Sequence, residues 1–450
     1  MSKNVKLRKG FDINLAGKAA KEMVDFEPAQ TFAIKPTDFV GMQRPKVLVN
    51  EGDTVKAGTP ILFDKAMDQV QYLAPVSGEV IEIKRGEKRK LLEIRILADK
   101  EISYEDLGKI DLKSVDRATL VEKLASGGVW PHIIQRPFGV VANPADEPKA
   151  IYISAFDSNP LAPDMGFVLQ GEEGYFQAGL NALTKLTNGK VHLNVNGAEQ
   201  VPAIFENAQG VQINRFSGAH PAGNVGVQIH HLDPINKGDL VWTVSPSGVV
   251  QIGKLVLEGK YDASKVIALT GSELTKKGYV KTISGASVST FVKGNLQSGN
   301  IRVISGNVLT GEKISMEGYL GFYHNQITVI PEGDYEEFLG WLMPSTKKLS
   351  FHKAIGMLSF LNKGEFKVDT NTHGEERPFV VSGVFEKVLP MDILPTYLFK
   401  AIIAEDFDEM EELGLYEIIE EDVALCEFVD PSKNDLQQLV RTGIELLMYS

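Results

Sequence analysis

Cysteine is almost missing from this 450-residue chain. Its one cysteine, Cys426, rules out an internal disulfide and any iron–sulfur or all-thiolate metal site made by this chain alone. Long apolar runs are missing too. No stretch reaches the ~18 residues that a spanning helix needs, and the basic start MSKNVKLRKGFDINLAG has no apolar core of signal-peptide length. Basic residues are outnumbered, 47 Lys and Arg against 59 Asp and Glu, and a net charge of -12 argues against nucleic acid, because phosphate affinity rests on Lys and Arg. The expectation is a cytosolic protein, or one held at a membrane only by partners. What remains is ordinary globular material, 43% hydrophobic and 24% charged. The length is too great for one core and implies about three or four domains.

The stretch from Val47 to Val80 has a readable mechanical logic. Val47 and Val49 lead into Glu51-Gly52-Asp53, a turn in which Gly takes positive φ and Asp bonds its own backbone. Val55 and Gly58 follow, then Pro60 to Phe63, a polar hairpin, and Ala74-Pro75-Val76-Ser77-Gly78 leading into the alternating strand from Val80. The pattern E-G-D-x-V-x-x-G with A-P-x-S-G-x-V resembles the barrel-sandwich hybrid modules of lipoyl and biotinyl carriers. We place this module at residues 35–98, after an arm over 1–34 that is basic and apolar by turns and is expected to pack on it as a strand. In carriers an Asp-Lys-Ala sits at the hairpin tip. Here Lys65 is read as an off-centre, solvated lysine, with a modified carrier lysine as the rival. The hairpin Lys84-Arg85-Gly86-Glu87-Lys88-Arg89-Lys90 concentrates positive charge; it reads as a solvated turn, with docking to an acidic partner as the alternative.

Residues 99–258 read as α/β. Ser114 is expected to cap a helix whose face is Val115, Leu120, Val121 and Leu124, stopped at Gly127. In the loop Gly127-Gly128-Val129-Trp130-Pro131-His132, followed by Arg136-Pro137-Phe138, the glycine pair is a candidate for close approach to a phosphate or flavin, although a tight helix exit needs the same glycines. Strands at Ala150–Ile153, Lys190–Val195 and Gly210–Ile213, with a helix carrying Phe176, Leu180 and Leu183, argue for a parallel, Rossmann-like sheet without the dinucleotide fingerprint. His220, His230 and His231 match no standard zinc spacing and read as hydrogen-bonding histidines.

Residues 259–332 show short strands punctuated by glycine at 265–271, 278–283, 300–306 and 307–311. A short helix at Ser287–Val292 crosses them, a β-grasp pattern. From Asp334 the chain is expected to be mostly helical, opening at Tyr335–Leu339 and ending on a helix with the stripe Leu436, Leu439, Val440 and Leu447. Acidic residues are dense between Glu405 and Asp422, a solvated face or a partner surface.

Barrel-sandwich module, Rossmann-like domain, β-grasp (SLBB-like) domain and helical C-terminal domain (333–450), in that order, resemble the NqrA subunits of the bacterial sodium-translocating NADH:quinone oxidoreductases. The most specific stretches are Lys9-Gly10-Phe11-Asp12-Ile13, the Ala74 to Arg89 run, Gly218 to Gly223 with Ile229-His230, Ile252-Gly253-Lys254-Leu255, and Met391-Asp392-Ile393-Leu394-Pro395. The architecture is also similar to the Rnf complex C subunit and the flavoprotein subunit of complex I. The departures are as informative. The relatives' glycine-rich flavin loop is reduced to Gly127-Gly128-Val129-Trp130-Pro131. At the places comparable to their cluster cysteines stand Glu386-Lys387-Val388-Leu389-Pro390 and Ala424-Leu425-Cys426 through Pro431.

The resemblance implies a peripheral component of a translocase that passes electrons from NADH to ubiquinone or menaquinone and moves Na+ outward. This component is held on the cytoplasmic side of the inner membrane by membrane-embedded partners. The resemblance implies no catalytic residue, metal or cluster here, and a scaffold with a degenerate ferredoxin-type C-terminal domain. FMN, FAD, riboflavin and iron centres are expected in the partner subunits. A quinone contact is implied at the vestigial loop, at Gly127, Gly128, Trp130, Pro131 and Phe138, with core packing as the bland alternative. The rivals are a carrier modified at Lys65 and an active NADH–FMN dehydrogenase.

Overall fold

A computed structural model describes residues 2–449 except 298, 338–344, 353–360 and 363. Alternation of apolar and polar residues between 31 and 98 builds two small antiparallel sheets facing each other. One runs β2 (Thr31–Ile34), β8 (Leu91–Ala98), β7 (Gly78–Arg85), β4 (Thr54–Val55); the other runs β3 (Pro45–Val47), β5 (Pro60–Asp64), β6 (Met67–Leu73). Ile61, Leu62, Val80, Ile94 and Ile96 lie between them, fully buried. Gly78 has φ +151, and a Cβ there would meet the Leu97 carbonyl oxygen at 1.9 Å, so two backbones pass where no side chain fits.

Lys65 departs from its expected place. Lys65-Ala66 is the two-residue turn between β5 and β6, so Lys65 stands exposed at the hairpin tip and not off its centre. Lys65 stands midway between Gly52 and Gly78, and the connections before β5 and after β6, residues 56–59 and 74–77, are equal in length, so the off-centre reading is corrected by the count itself. Asp64, buried beside it, accepts the backbone N–H groups of Gln43, Arg44 and Ala66 and so fixes the turn.

The second unit holds a seven-stranded sheet in the order β1 (Asn4–Lys6), β13 (Gln212–Ser217), β12 (Lys190–Asn196), β11 (Ala150–Ser154), β14 (Val241–Val244), β9 (Ile133–Arg136), β10 (Val140–Val141). β1, β13, β12, β11 and β14 are parallel, and β9 and β10 are antiparallel additions. α1 (Arg117–Ser126) is capped by Asp116, whose carboxylate accepts the Thr119 N–H. Ser114 instead bonds Asp111 in the preceding turn. α2 (Met165–Val168), α3 (Glu173–Leu183), α4 (Ala203–Glu206), α5 (Val225–Leu232) and α6 (Pro246–Glu258) connect or flank the strands. α3 and α6 touch backbone to backbone: a Cβ on Gly253 would lie 1.8 Å from the Tyr175 carbonyl oxygen, and one on Gly179 2.0 Å from that of Val249.

The third unit is a five-stranded sheet, β16 (Gly278–Ile283), β15 (Ser264–Thr270), β19 (Gln326–Pro331), β17 (Ile301–Ser305), β18 (Glu312–Ile314), with α7 (Ser289–Val292) across it. Residues 307–311, expected as strand, form a turn because the Asn307 side chain accepts the N–H groups of Leu309 and Thr310. Residues 334–337, 345–352 and 364–384 hold no α-helix, so the helical region begins later than expected; Phe338 and Leu339 lie outside the described residues. α8 (Phe385–Val388), α9 (Pro395–Ala404), α10 (Phe407–Glu412), α11 (Glu420–Val429) and α12 (Leu436–Tyr449) then pack around Leu398, Phe399, Leu425 and Val440.

The arm packs differently from expectation. β1 joins β13 of the second unit, not the adjoining barrel. Leu15 bridges Phe366, Met23 bridges Tyr279, and β2 enters the barrel sheet beside β8. Residues 4–34 thus lace all four units together.

Candidate functional site

The loop after α1 is set by its two glycines. Gly127 caps α1, and Gly128 turns the chain at φ +76. Neither faces open space: a Cβ on Gly127 would meet the Leu255 side chain at 2.4 Å, and one on Gly128 the Leu73 side chain at 2.6 Å. The loop is therefore clasped between α6 and the barrel strand β6. Trp130 is fully buried, donates its indole N–H to the Ala142 carbonyl at 2.7 Å, and meets Trp242 edge-on at 5.4 Å. The Pro131 carbonyl accepts the Tyr323 hydroxyl at 2.7 Å. Phe138 lies apart from these four. It belongs to the C-terminal core, edge-on to Tyr416 at 6.2 Å, and its carbonyl accepts Arg441 at 3.0 Å.

Beyond Pro131 three units converge. His132 stacks on Phe322 at 4.6 Å, and burial, with Lys265 nearby, pushes its pKa down to about 3. Lys265 donates to the Phe322 carbonyl at 3.1 Å, and burial lowers its pKa to about 8. Lys35 bridges Glu312 at 2.5 Å and Asp38 at 3.2 Å, and Asp38 accepts the Phe322 N–H. Phe39 packs on Tyr72 at 4.4 Å and Phe322 at 5.0 Å. A cavity of about 230 Å3 opens here, lined by Thr37, Asp38, Glu312, Phe322, Tyr323 and His324. A second cavity, about 660 Å3, lies at the carboxyl ends of β11 and β12 among Phe156, Asp157, Met165, Asn196 and Gln200, with Lys21 paired to Asp164 at 2.5 Å on its rim. None of the five loop residues lines either one.

The histidines take separate structural duties. His220 is buried, with Nδ1 3.0 Å from the Ser158 hydroxyl, and burial lowers its pKa to about 4. His230 and His231, successive on α5, reach the C-terminal helices. His230 Nδ1 lies 2.7 Å from Glu417 while its Nε2 accepts the Asp392 N–H, and His231 Nε2 donates to the Pro390 carbonyl at 2.8 Å. Among the described residues no group of three or more His, Cys, Asp or Glu is placed to hold a metal ion. Cys426 is buried, and burial pushes its thiol pKa up.

Part of the acidic run also turns inward. Asp422 and Glu421 clamp Arg136 at 2.8 and 2.5 Å, and Glu420 binds Arg441. Sequence reading missed the clamp because its members are separated by hundreds of positions. The arrangement as a whole binds units to one another more than it presents a reactive group.

Three family models match successive parts of the chain: the NqrA N-terminal barrel-sandwich hybrid domain at 5–99, the NqrA second alpha/beta domain at 115–261, and the NQRA C-terminal domain at 266–316. Among curated relatives, the NqrA subunit of the Na(+)-translocating NADH-quinone reductase of Yersinia pestis is 38% identical over 97% of this chain and 98% of its own length. The corresponding subunit of Alcanivorax borkumensis is 38% identical over 98% of both, and that of Rhodopirellula baltica 37% identical over 98% and 97%. A solved NAD+-reducing [NiFe]-hydrogenase aligns at a TM-score of 0.39 and 11% identity over 78% of this chain and 67% of that one, too low to carry an argument. With relatives this similar along nearly its whole length, the chain belongs to the NqrA family, the subunits so named of the Na(+)-translocating NADH-quinone reductases.

Proposed function

We propose that this chain serves as the peripheral, cofactor-free NqrA subunit of a bacterial Na+-translocating NADH–quinone reductase. Membrane-embedded partner subunits hold it on the cytoplasmic side of the inner membrane, and FMN, FAD, riboflavin and iron centres belong to those partners. The observation that carries this reading is the match to NqrA relatives over 97% of the chain. Two further features support it. No described helix is long and apolar enough to cross a membrane, and Leu73 and Leu255 occupy the ground beside the loop glycines.

Within the same reading the second unit is a Rossmann-like domain. Its order β13-β12-β11-β14, third-second-first-fourth along the chain, supports that descent. The third unit is β-grasp (SLBB-like), and the last a degenerate ferredoxin-type domain that kept only Cys426. Domain limits of 1–34, 35–98, 99–258, 259–332 and 333–450 are proposed with them.

The deciding measurement is Na+-stimulated NADH:quinone reductase activity in membranes with and without this chain, the partner subunits being quantified in both. Activity lost together with the partners supports the scaffold. Activity lost with the partners intact shifts the role to the quinone half of the reaction, and unchanged activity removes the assignment.

A second reading is quinone contact at Gly127, Gly128, Trp130 and Pro131, without Phe138, which sits apart in the C-terminal core. It is favoured by the ring cluster of Phe39, Tyr72, Phe322 and Tyr323 beside Pro131. A quinone analogue that leaves Trp fluorescence and hydrogen exchange around Trp130 unchanged ends it.

A further inference from the structure

Helix α9, with sequence PTYLFKAIIA, is apolar on both sides. Its inner side, Leu398, Phe399, Ala401 and Ile402, is buried in the C-terminal core. Its outer side has no such cover. Leu394 at the N-cap, Tyr397, Ile403, and Phe407 at the start of α10 are 53, 53, 56 and 40% exposed. Tyr397, Lys400 and Ile403 recur at three-residue spacing, so they form one outward stripe. Single exposed hydrophobics are ordinary, but four along one helix and the turn after it mark an interaction surface.

The rim of this patch is acidic. Glu405, Asp406, Asp408, Glu409 and Glu412 are all exposed around its C-terminal end. Acids farther along the chain are already engaged, Glu411 with Lys237 and Glu420 with Arg441. Glu405, Asp408 and Glu412 have no ion pair among the described residues. Lys400 is the one cation within the stripe.

We infer that the outer face of α9 and the α9–α10 turn dock a partner protein segment in which apolar residues are flanked by Lys and Arg. Charge complementarity selects this occupant. A second copy placed across a twofold axis would set the same carboxylates against each other. Anionic lipid headgroups would be repelled by the same rim. The inference rests on the reading of this chain as one component of a larger complex, which supplies the partner.

The test uses the assembled complex, purified through a tag on one of the partner chains, and compares its hydrogen exchange with that of the isolated full chain. Amides from Tyr397 to Phe407 gain protection on assembly. Recovery of this chain per complex falls by about tenfold in the double variant Tyr397→Ser, Ile403→Ser, the loss expected when apolar anchors at an interface centre are removed. It falls also in Glu405→Lys, Asp408→Lys, and the wild-type recovery declines as salt is raised. All four side chains are exposed, so unchanged melting temperatures of the isolated variants separate docking from folding.

Stoichiometric recovery of both variants with α9 exchange unaltered overturns the docking surface and leaves the subunit reading standing. Concentration-dependent protection of α9 in the isolated chain, with a dimer mass, assigns the patch to a second copy and overturns the proposal. Protection by phosphatidylglycerol vesicles alone assigns it to lipid and does the same. Absence of this chain from the purified complex overturns the subunit reading and the docking proposal together.

Discussion

Arg136 and Asp422 stand 286 positions apart in the chain and meet at 2.8 Å, where their side chains are 1% and 0% exposed. Their contact joins strand β9 of the second unit to helix α11 of the last. A buried ion pair contributes little over well-packed apolar groups, but removing one member strands the other's charge in the interior. Asp422→Ala is therefore expected to cost about 3 kcal/mol, the lower end for such a loss because Glu421 still faces Arg136. Urea denaturation of the full chain measures it, and a change below the error of the midpoint would show that water reaches Arg136.

Glycines on one helix make a graded pair. Gly179→Ala on α3 drives a methyl against the Val249 carbonyl oxygen, whereas Gly174→Ala on the same helix meets nothing within 4 Å. The first is expected to destabilise by about 3 kcal/mol through forced separation of α3 and α6. The second, in the first turn of α3, is expected to stabilise by about 0.5 kcal/mol, because alanine narrows the unfolded ensemble. Thermal melts of the two variants should move in opposite directions.

Glu332, at the end of β19, is held by Arg302, Thr370 and Lys313, with 3.0 Å to the Lys313 ammonium and 2.7 Å to the Thr370 hydroxyl. These partners, Arg302 first, lower its pKa to about 2. A carboxyl whose pKa is lower folded than unfolded adds stability above its unfolded value, and that stability drains as pH falls through the folded one. The window is thus pH 4.5 down to 2. Glu332→Gln should remove about 1 kcal/mol at neutral pH, after allowance for solvent screening, and flatten the loss of stability across that window. Denaturation midpoints at stepped pH for wild type and variant give the comparison.

Trp130→Phe deletes the indole N–H that serves the Ala142 carbonyl and leaves a void beside Trp242. Lost packing and an unpaired buried acceptor together should cost about 2–3 kcal/mol. If the loop is packing alone, the assembled complex reduces quinone at its wild-type rate. A raised KM for quinone with unaltered stability would reverse that conclusion and favour the quinone contact.

The native protein should carry no lipoyl- or biotinyl-sized addition at Lys65, as intact mass spectrometry would read directly. Lys65 is exposed at the tip of its hairpin, with the end of α12 beside the strand that precedes it. Its N–H bonds the Arg44 carbonyl at 3.1 Å, and the neighbouring Gln43 holds the hydroxyl of Tyr449 from α12. An enzyme that clasps such a hairpin would meet that helix end.

Local chemistry was legible where it is self-contained. The barrel can be read because it needs glycines at positive φ, in a turn at Gly52 and at a close backbone approach at Gly78, and its strands alternate; in the third unit, strand 278–283 emerged with its limits unchanged. Helix α6 was passed over within a polar, glycine-rich stretch, since its glycines weaken the helical signal, Gly253 serving contact with α3 and Gly248 contact with His132 and Val244. Ser114 and Asp116 both suit a helix start, and the choice fell to Asp116 only because Asp111 engages Ser114 in a turn. Of the candidate loop, the glycines and Trp130 were visible as a motif. That Leu73 and Leu255 fill the space beside them was not, because neither is near in sequence. The outer face of α9 was equally hidden, since a helix apolar all round gives no hint of which side is left bare.

The lacing of residues 4–34 also sets an order of assembly during synthesis. The barrel strands between 31 and 98 are local and can pair as soon as they emerge, but Asn4–Lys6 has no sheet to join until Arg215–Ser217 has been made. Leu15 waits longer still, for Phe366. Residues translated among the first are thus among the last to settle, and until then the edge of β13 that β1 will cover is open to any other strand.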